Sequence, residues 1–155
     1  MIIRQLEEND YEMFKRLFDE ACFEYLEFLK HENPRKYEEE QREKRKVTRA
    51  RFDFYLKTGS SFVAENKGKA VSYVASQTIH FMHDVDRLLW IEYIVVEQRF
   101  GRRGIGLALL KKLINHAESI GIDYIYPQVL ILTTNRQSDF ILRLASRLLT
   151  GNMPF

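Results

Sequence analysis

Cysteine is nearly missing from this chain: Cys22 is the only one among 155 residues. That excludes an internal disulfide framework and a cysteine-based zinc cluster. Three prolines and seven glycines are too few for collagen-like or low-complexity sequence. No apolar run reaches the ~18 residues of a membrane span, and the N-terminus lacks the apolar core of a signal peptide. A soluble, cytoplasmic protein with no membrane partner is expected. Charge of one sign is also lacking. The 24 basic and 22 acidic residues leave a net charge of +2, too even for a dedicated nucleic-acid binder. What is abundant is aromatic side chain: eleven phenylalanines, eight tyrosines and one tryptophan in a chain that is 45% hydrophobic. A packed core follows, and the length suits one domain over residues 1–155.

Ile2, Ile3 and Leu6 around Arg4 predict a short opening strand. Asn9-Asp10 offers a helix N-cap. Tyr11, Phe14, Leu17, Phe18, Ala21 and Tyr25 then recur at helical spacing toward Lys30. Asn33-Pro34 breaks that helix and starts a second, expected from Pro34 to Thr58 and closed by Gly59. Its front half, Arg35 to Arg51, is dense in both signs of charge. Glu38–Arg42 and Glu40–Lys44 are spaced to pair, and a solvated face explains the segment better than a nucleic-acid patch. After Gly59 the period changes. Phe62 to Glu65 and Ala70 to Ile79 read as strands around a tight turn at Asn66-Lys67-Gly68. His80 to Arg87 reads as a loop, and Leu88 to Val96 as a buried strand interrupted by Glu92. A helix with Ile105, Leu109, Leu113 and Ala117 on one face runs to Gly121. Tyr124 to Thr133 is a further strand, at an edge or bent because Pro127 removes a ladder donor. The segment after Asn135 is expected to be helical. The fold class is α/β, with a mixed sheet antiparallel early and parallel across the Gly104 helix.

The chemistry concentrates where the strand ending at Val96 runs through Gln98-Arg99-Phe100-Gly101-Arg102-Arg103-Gly104-Ile105-Gly106 into a helix. Free amides at a helix N-terminus form an anion cradle, reinforced by the helix dipole. Gly101, Gly104 and Gly106 allow close approach of a phosphate, and Arg102 and Arg103 add charge. The G-x-x-G-x-G spacing fits neither the P-loop nor the dinucleotide fingerprint. A pyrophosphate on another carrier is the expected ligand.

Here the sequence resembles the GCN5-related N-acetyltransferases (GNAT), whose acyl-CoA signature is Arg/Gln-x-x-Gly-x-Gly/Ala after a strand ending in Val. Gly104 matches the first required glycine, with Val96 eight residues before it. Ile2-Ile3-Arg4, Phe62-Val63-Ala64-Glu65 with Gly68, and Thr133-Thr134-Asn135 are similar to further elements of that family. The resemblance implies a GNAT-like mixed sheet with helices on both faces and acetyl-CoA as co-substrate. It implies cofactor contacts at Ile94, Val95, Val96, Gly101, Arg102, Arg103, Gly104, Ile105, Gly106 and Asn135. Gly101 departs from the signature, which opens with Arg or Gln; the backbone cradle does not depend on that side chain.

Glu92 is the expected catalytic residue. A carboxylate in an apolar strand is costly to bury unless paired or functional, and such a group suits a general base for an amine. Trp-Ile-Glu-Tyr-Ile-Val-Val also resembles the Tyr-Leu-Glu-Asp-x-x-Val segment of diamine-type acetyltransferases. The alternative is a structural Glu satisfied by backbone amides at a strand bulge. His80-x-x-His83-Asp84 lacks a third ligand and reads as surface, so no metal is expected. Cys22 reads as a small core residue, and the aromatic first helix as core with some capacity to line an acceptor pocket.

The tail departs further. The resemblance implies a helix carrying Tyr-x-x-x-Gly-Phe, whose hydroxyl protonates the leaving thiolate, followed by two strands. Here Phe140 to Arg147 carries no tyrosine, and none occurs after Tyr126. Suitable codons for Phe140 to Arg147, read from the third base, give Tyr-Phe-Lys-Ala-Gly-Phe-Lys. A truncated or frameshifted end, with the last one or two strands missing and a sheet edge open to homodimer pairing, is therefore expected. The acceptor implied is a primary amine of a small molecule or peptide. A non-catalytic acyl-CoA-binding or interaction module is the alternative.

Overall fold

The computed structural model describes residues 1–43, 46–81 and 87–130. The chain opens with β1 (Ile2–Gln5), makes a 3-10 turn at Glu8–Asp10, and enters α1 (Tyr11–Glu32). Phe14, Leu17, Phe18 and Ala21 are all buried, so the apolar stripe of α1 lies on the sheet. Asn33 ends α1, because a proline disfavours helical geometry in the residue before it, and Pro34 opens α2 (Pro34–Glu43). α3 (Arg49–Thr58) closes on Gly59 in the left-handed conformation. β2 (Phe62–Asn66) and β3 (Lys69–His80) form a hairpin. Its turn residues Lys67 and Gly68 have φ of 52° and 74°, the primed-turn geometry that matches the twist of paired strands. β4 (Arg87–Val96), a 3-10 turn at Gln98–Phe100, α4 (Ile105–Ser119) and β5 (Ile125–Leu130) follow.

The strand order is β1-β2-β3-β4-β5. Neighbours are antiparallel up to β4, and β4 pairs with β5 in parallel through α4. Helices cover both faces. On one, α1 and α3 bury Phe14, Leu17, Phe52 and Tyr55 against Val63, Tyr73 and Val95. On the other, α4 buries Ile105, Leu109, Leu113 and Ala117 against Val71, Val74, Leu89 and Ile94. Each fully buried Val, Leu, Ile or Phe among them contributes roughly 1.5–3 kcal/mol of transfer free energy. The α/β class, the mixed sheet and the two helical layers are those expected from the sequence.

Three local expectations are corrected. The single helix over Pro34–Thr58 is two helices, α2 and α3, with Val47 buried between them. Thr48 caps α3, its Oγ accepting the Arg51 amide at 3.2 Å. A segment so rich in charge has no apolar stripe whose phase would reveal the break. Asp10 does not cap α1 with its side chain. Its carboxylate instead accepts from both terminal nitrogens of Arg4, at 2.7 and 2.9 Å, and from the Glu7 amide at 2.8 Å. Among the described residues, α2 pairs Arg35 with Glu39 at 3.6 Å, and no pair joins Glu38 to Arg42. Lys44, His83, Asp84, Asn135 and the tail from Phe140 lie outside the described residues, and so do the expectations placed on them.

Candidate active site

β4 carries a bulge, and Glu92 is its extra residue. Ala75 pairs with Tyr93 and Ser76 with Ile91, which leaves Glu92 without a register partner on β3. The register also shifts toward β5, where Ile91 faces Pro127 and Tyr93 faces Leu130, so on that side the extra residue lies in β5. An inserted residue resets the in-and-out alternation of a strand. Leu89, Ile91 and Ile94 accordingly join the core under α4, whereas Tyr93 and Val95 join the core under α1 and α3.

The backbone at the bulge is held by hydroxyls from the connection between α3 and β2. The Ser76 amide donates to Ser61 Oγ at 3.1 Å, and Thr58 Oγ donates to the Ser76 carbonyl at 3.1 Å. Ser76 Oγ in turn donates to the Ser60 carbonyl. These bonds occupy backbone groups that an irregular ladder would leave buried and unpaired.

The Glu92 side chain, 19% exposed, meets α3. Arg51 donates to Oε1 at 2.8 Å, and the Tyr55 hydroxyl donates to Oε2. Burial, and then the bond to Glu92, push the Tyr55 phenol well above its ordinary pKa, while Arg51 opposes the shift. The bulge expected as the structural alternative is therefore present, but side chains rather than backbone amides hold the carboxylate. Arg51 and Tyr55 were not picked out from sequence. Their spacing of four on one helix was the available signal, but Arg51 sat at the end of a stretch read as solvated.

Beyond the bulge, Ile94, Val95 and Val96 complete β4. Among the described residues, the β4–β5 ladder runs as far as Tyr93–Leu130. The 3-10 turn that follows closes with the Phe100 amide on the Glu97 carbonyl at 2.8 Å and the Gly101 amide on the Gln98 carbonyl at 3.0 Å. A side chain on Gly101 would bring its Cβ to 3.1 Å from that Gln98 oxygen, a tight fit that accounts locally for the departure from the signature. Arg102 and Gly104 adopt left-handed φ of 61° and 76°. They turn the chain so that Gly104 stands at the N-terminus of α4. The amides of Ile105, Gly106 and Leu107 belong to the first helical turn and have no intrahelical acceptor. Ile105 buries its side chain in the core, so it offers the cradle only its amide. Arg102 and Arg103 are exposed, and the Arg103 guanidinium lies over the Phe100 ring at 5.6 Å.

A second buried carboxylate escaped sequence reasoning. Glu97, 8% exposed, is paired with Arg16 of α1 at 3.4 Å and with Arg99. It ties the start of the cradle to α1. Among the described residues, no three His, Cys, Asp or Glu side chains gather to hold a metal ion. No described helix is long and apolar enough to cross a membrane.

A mixed sheet, a bulged β4 and an amide cradle on the following helix match the fold of the GNAT acetyltransferases. Solved structures agree. A mutant BH1408 protein of Bacillus halodurans superposes with a TM-score of 0.71 at 18% identity, over 100% of this chain and 98% of that one. An aminoglycoside acetyltransferase from an uncultured soil metagenomic sample gives 0.63 at 19%, over 99% and 93%. Aminoglycoside N-acetyltransferase AAC(6')-Iy in complex with CoA gives 0.60 at 16%, over 99% and 96%. The chain belongs to the family described as "Protein of unknown function (DUF1999)", whose model matches residues 1–143. The sequence matches none of the curated proteins.

Proposed function

We propose that this protein is an acetyl-CoA-dependent N-acetyltransferase acting on a primary amine of a small molecule or peptide. The observation that carries the reading is the placement of Glu92 at a bulge of the same strand that leads into the amide cradle. The pantetheine arm of acetyl-CoA would lie along Ile94, Val95 and Val96. Its pyrophosphate would sit on the amides from Gly101 to Gly106, with Arg102 and Arg103 beside it and Asn135 as a further contact. Glu92 takes a proton from the acceptor amine, directly or through water. The amine nitrogen then bonds to the thioester carbonyl carbon, backbone amides of β4 stabilise the oxyanion, and the carbon–sulfur bond breaks to release the CoA thiolate. The sequence contains no tyrosine after Tyr126 to protonate that thiolate. General-acid assistance is worth about 10²–10⁴-fold, so transfer can proceed, more slowly, without it. A small amine as acceptor is supported by a metagenomic aminoglycoside acetyltransferase solved in complex with sisomicin, similar to this chain with a TM-score of 0.59 at 20% identity.

One observation favours a second reading, a non-catalytic acyl-CoA-binding module. Arg51 and Tyr55 already engage both oxygens of Glu92, as they would for a purely structural tie. Two measurements separate the readings: calorimetric titration with acetyl-CoA, and an amine panel with thiol detection of released CoA. Acetyl-CoA binding is expected, together with transfer that Glu92→Gln lowers about 10²–10⁴-fold in kcat while acetyl-CoA affinity stays unchanged. Binding without transfer to any amine would establish the module instead, and absence of binding would sink both.

A further inference from the structure

Glu92 carries two hydrogen bonds from one helix, and the two partners are unlike. Tyr55 is buried, 1% exposed, and its hydroxyl donates to Oε2. Its ring stands in the core, stacked on Phe14 at 6.0 Å and edge-on to Phe54 at 5.5 Å. Its backbone is tied to the strand beside the bulge. The Thr58 hydroxyl reaches the Tyr55 carbonyl at 2.8 Å and the Ser76 carbonyl at 3.1 Å, and Ser76 pairs with Ile91 next to Glu92. Arg51, one helical turn earlier, is 49% exposed and donates to Oε1 at 2.8 Å.

These settings give the two carboxylate oxygens different freedom. The Tyr55 ring cannot leave the core without opening a cavity. An exposed guanidinium moves at little cost, because water takes over its hydrogen bond. Oε2 is the fixed oxygen, and Oε1 is the one a ligand reaches by displacing Arg51. Burial and the bond to Glu92 keep the Tyr55 phenol protonated, so Tyr55 serves Glu92 only as a donor.

We infer that Tyr55 is a positioning residue for the base, and that Oε1 is the atom that takes the acceptor's proton, with Arg51 covering that atom until the amine arrives. The inference rests on the acetyltransferase reading above and assigns the parts of its site. The acceptor arrives as an ammonium. Its nitrogen approaches Oε1, Arg51 swings toward solvent, and one proton passes from nitrogen to Oε1. The nitrogen keeps the electron pair of the broken N–H bond for attack on the thioester, and the Tyr55 O–H bond stays intact. Arg51 thereby competes with the acceptor, since each ammonium has to displace a cation of like charge.

Steady-state kinetics on the full chain tests this, with acetyl-CoA and four amines: 2-phenylethylamine, spermidine, sisomicin and the peptide Ala-Ala. The fastest acceptor is carried into the variants. Tyr55→Phe keeps the ring and removes only the hydroxyl; a loosened base should lower kcat about tenfold or more with little change in either KM. The same substitution made on Glu92→Gln should cost no further kcat, because it acts through the carboxylate. A merely structural hydroxyl would cost as much in either background. Arg51→Met should lower the acceptor KM about threefold, the worth of an exposed ion pair, and Arg51→Lys should return it toward the unaltered value. The Arg51 variants leave the packing of Tyr55 untouched and form a separate arm. Unchanged kcat in Tyr55→Phe, or an equal loss on Glu92→Gln, would overturn the positioning role. A raised acceptor KM in Arg51→Met would overturn Oε1 as the receiving atom. In each of these cases the unaltered chain still transfers, so the acetyltransferase reading stands. No transfer by the unaltered chain to any of the four amines would overturn that reading and this inference with it.

Discussion

Arg4 and Tyr73 show two ways in which a polar group is carried inside this protein. Arg4 reaches Asp10 and Glu65, so the almost fully buried Asp10 carboxylate has a cation, and the guanidinium is held more strongly protonated than usual by Asp10. Tyr73 has no such partner among the described residues, and burial pushes its phenol well above the ordinary pKa. Removing an unpaired buried hydroxyl recovers part of its desolvation cost, about 1 kcal/mol. Tyr73→Phe is therefore expected to raise Tm by roughly 2–4 °C for a chain of this size. A lower Tm in a thermal scan would show that the hydroxyl is partnered. At this scale the sequence was legible wherever a residue was out of place for its surroundings. Glu92 stood out as one charge in an apolar strand. Tyr55 and Arg51 did not, because a tyrosine and an arginine on a polar helix are ordinary until a strand distant in sequence brings a carboxylate to them.

At the scale of elements, the bulge in β4 matters more than any single strand. It places Glu92 and Tyr93 where regular alternation would have put them on opposite faces, and the serines at 60, 61 and 76 brace the opposing strand. Ser61→Ala would leave the buried Ser76 amide unpaired. A loss of about 1–2 kcal/mol in urea denaturation is expected, along with lower kcat if Glu92 is the base. Unchanged stability would mean that the bulge is held without Ser61. The strands, the β2–β3 turn and the apolar face of α4 were readable because periodicity and turn chemistry are local. The bulge was not, since an extra residue is defined only by the register of its neighbour. The break between α2 and α3 was missed for a related reason: Val47 is the one apolar residue there whose burial marks it, and burial is a tertiary fact.

For the molecule as a whole, a ligand that binds only the folded state stabilises it in proportion to its saturation. If acetyl-CoA occupies the β4 end and the cradle, a concentration of 100 times Kd should add about 2.7 kcal/mol of stability, seen as a rise in Tm of several degrees. Arg103→Glu, which places a carboxylate at the exposed lip of the cradle, should diminish that rise; an identical rise in the variant would place the pyrophosphate elsewhere. The opening composition bounded this protein from the outside. One cysteine, balanced charge and many aromatics led to the expectation of a packed core, the order of strand and helix patterns pointed to an α/β fold, and Val96 to Gly106 in order pointed to the GNAT fold. All of that rests on patterns within a few residues of one another, which a linear sequence preserves. Only the tertiary structure decided what Glu92 touches and that Thr58 ties α3 to the strand beside the bulge. Those are contacts between elements far apart in sequence, fixed by strand register and by how each helix packs on the sheet.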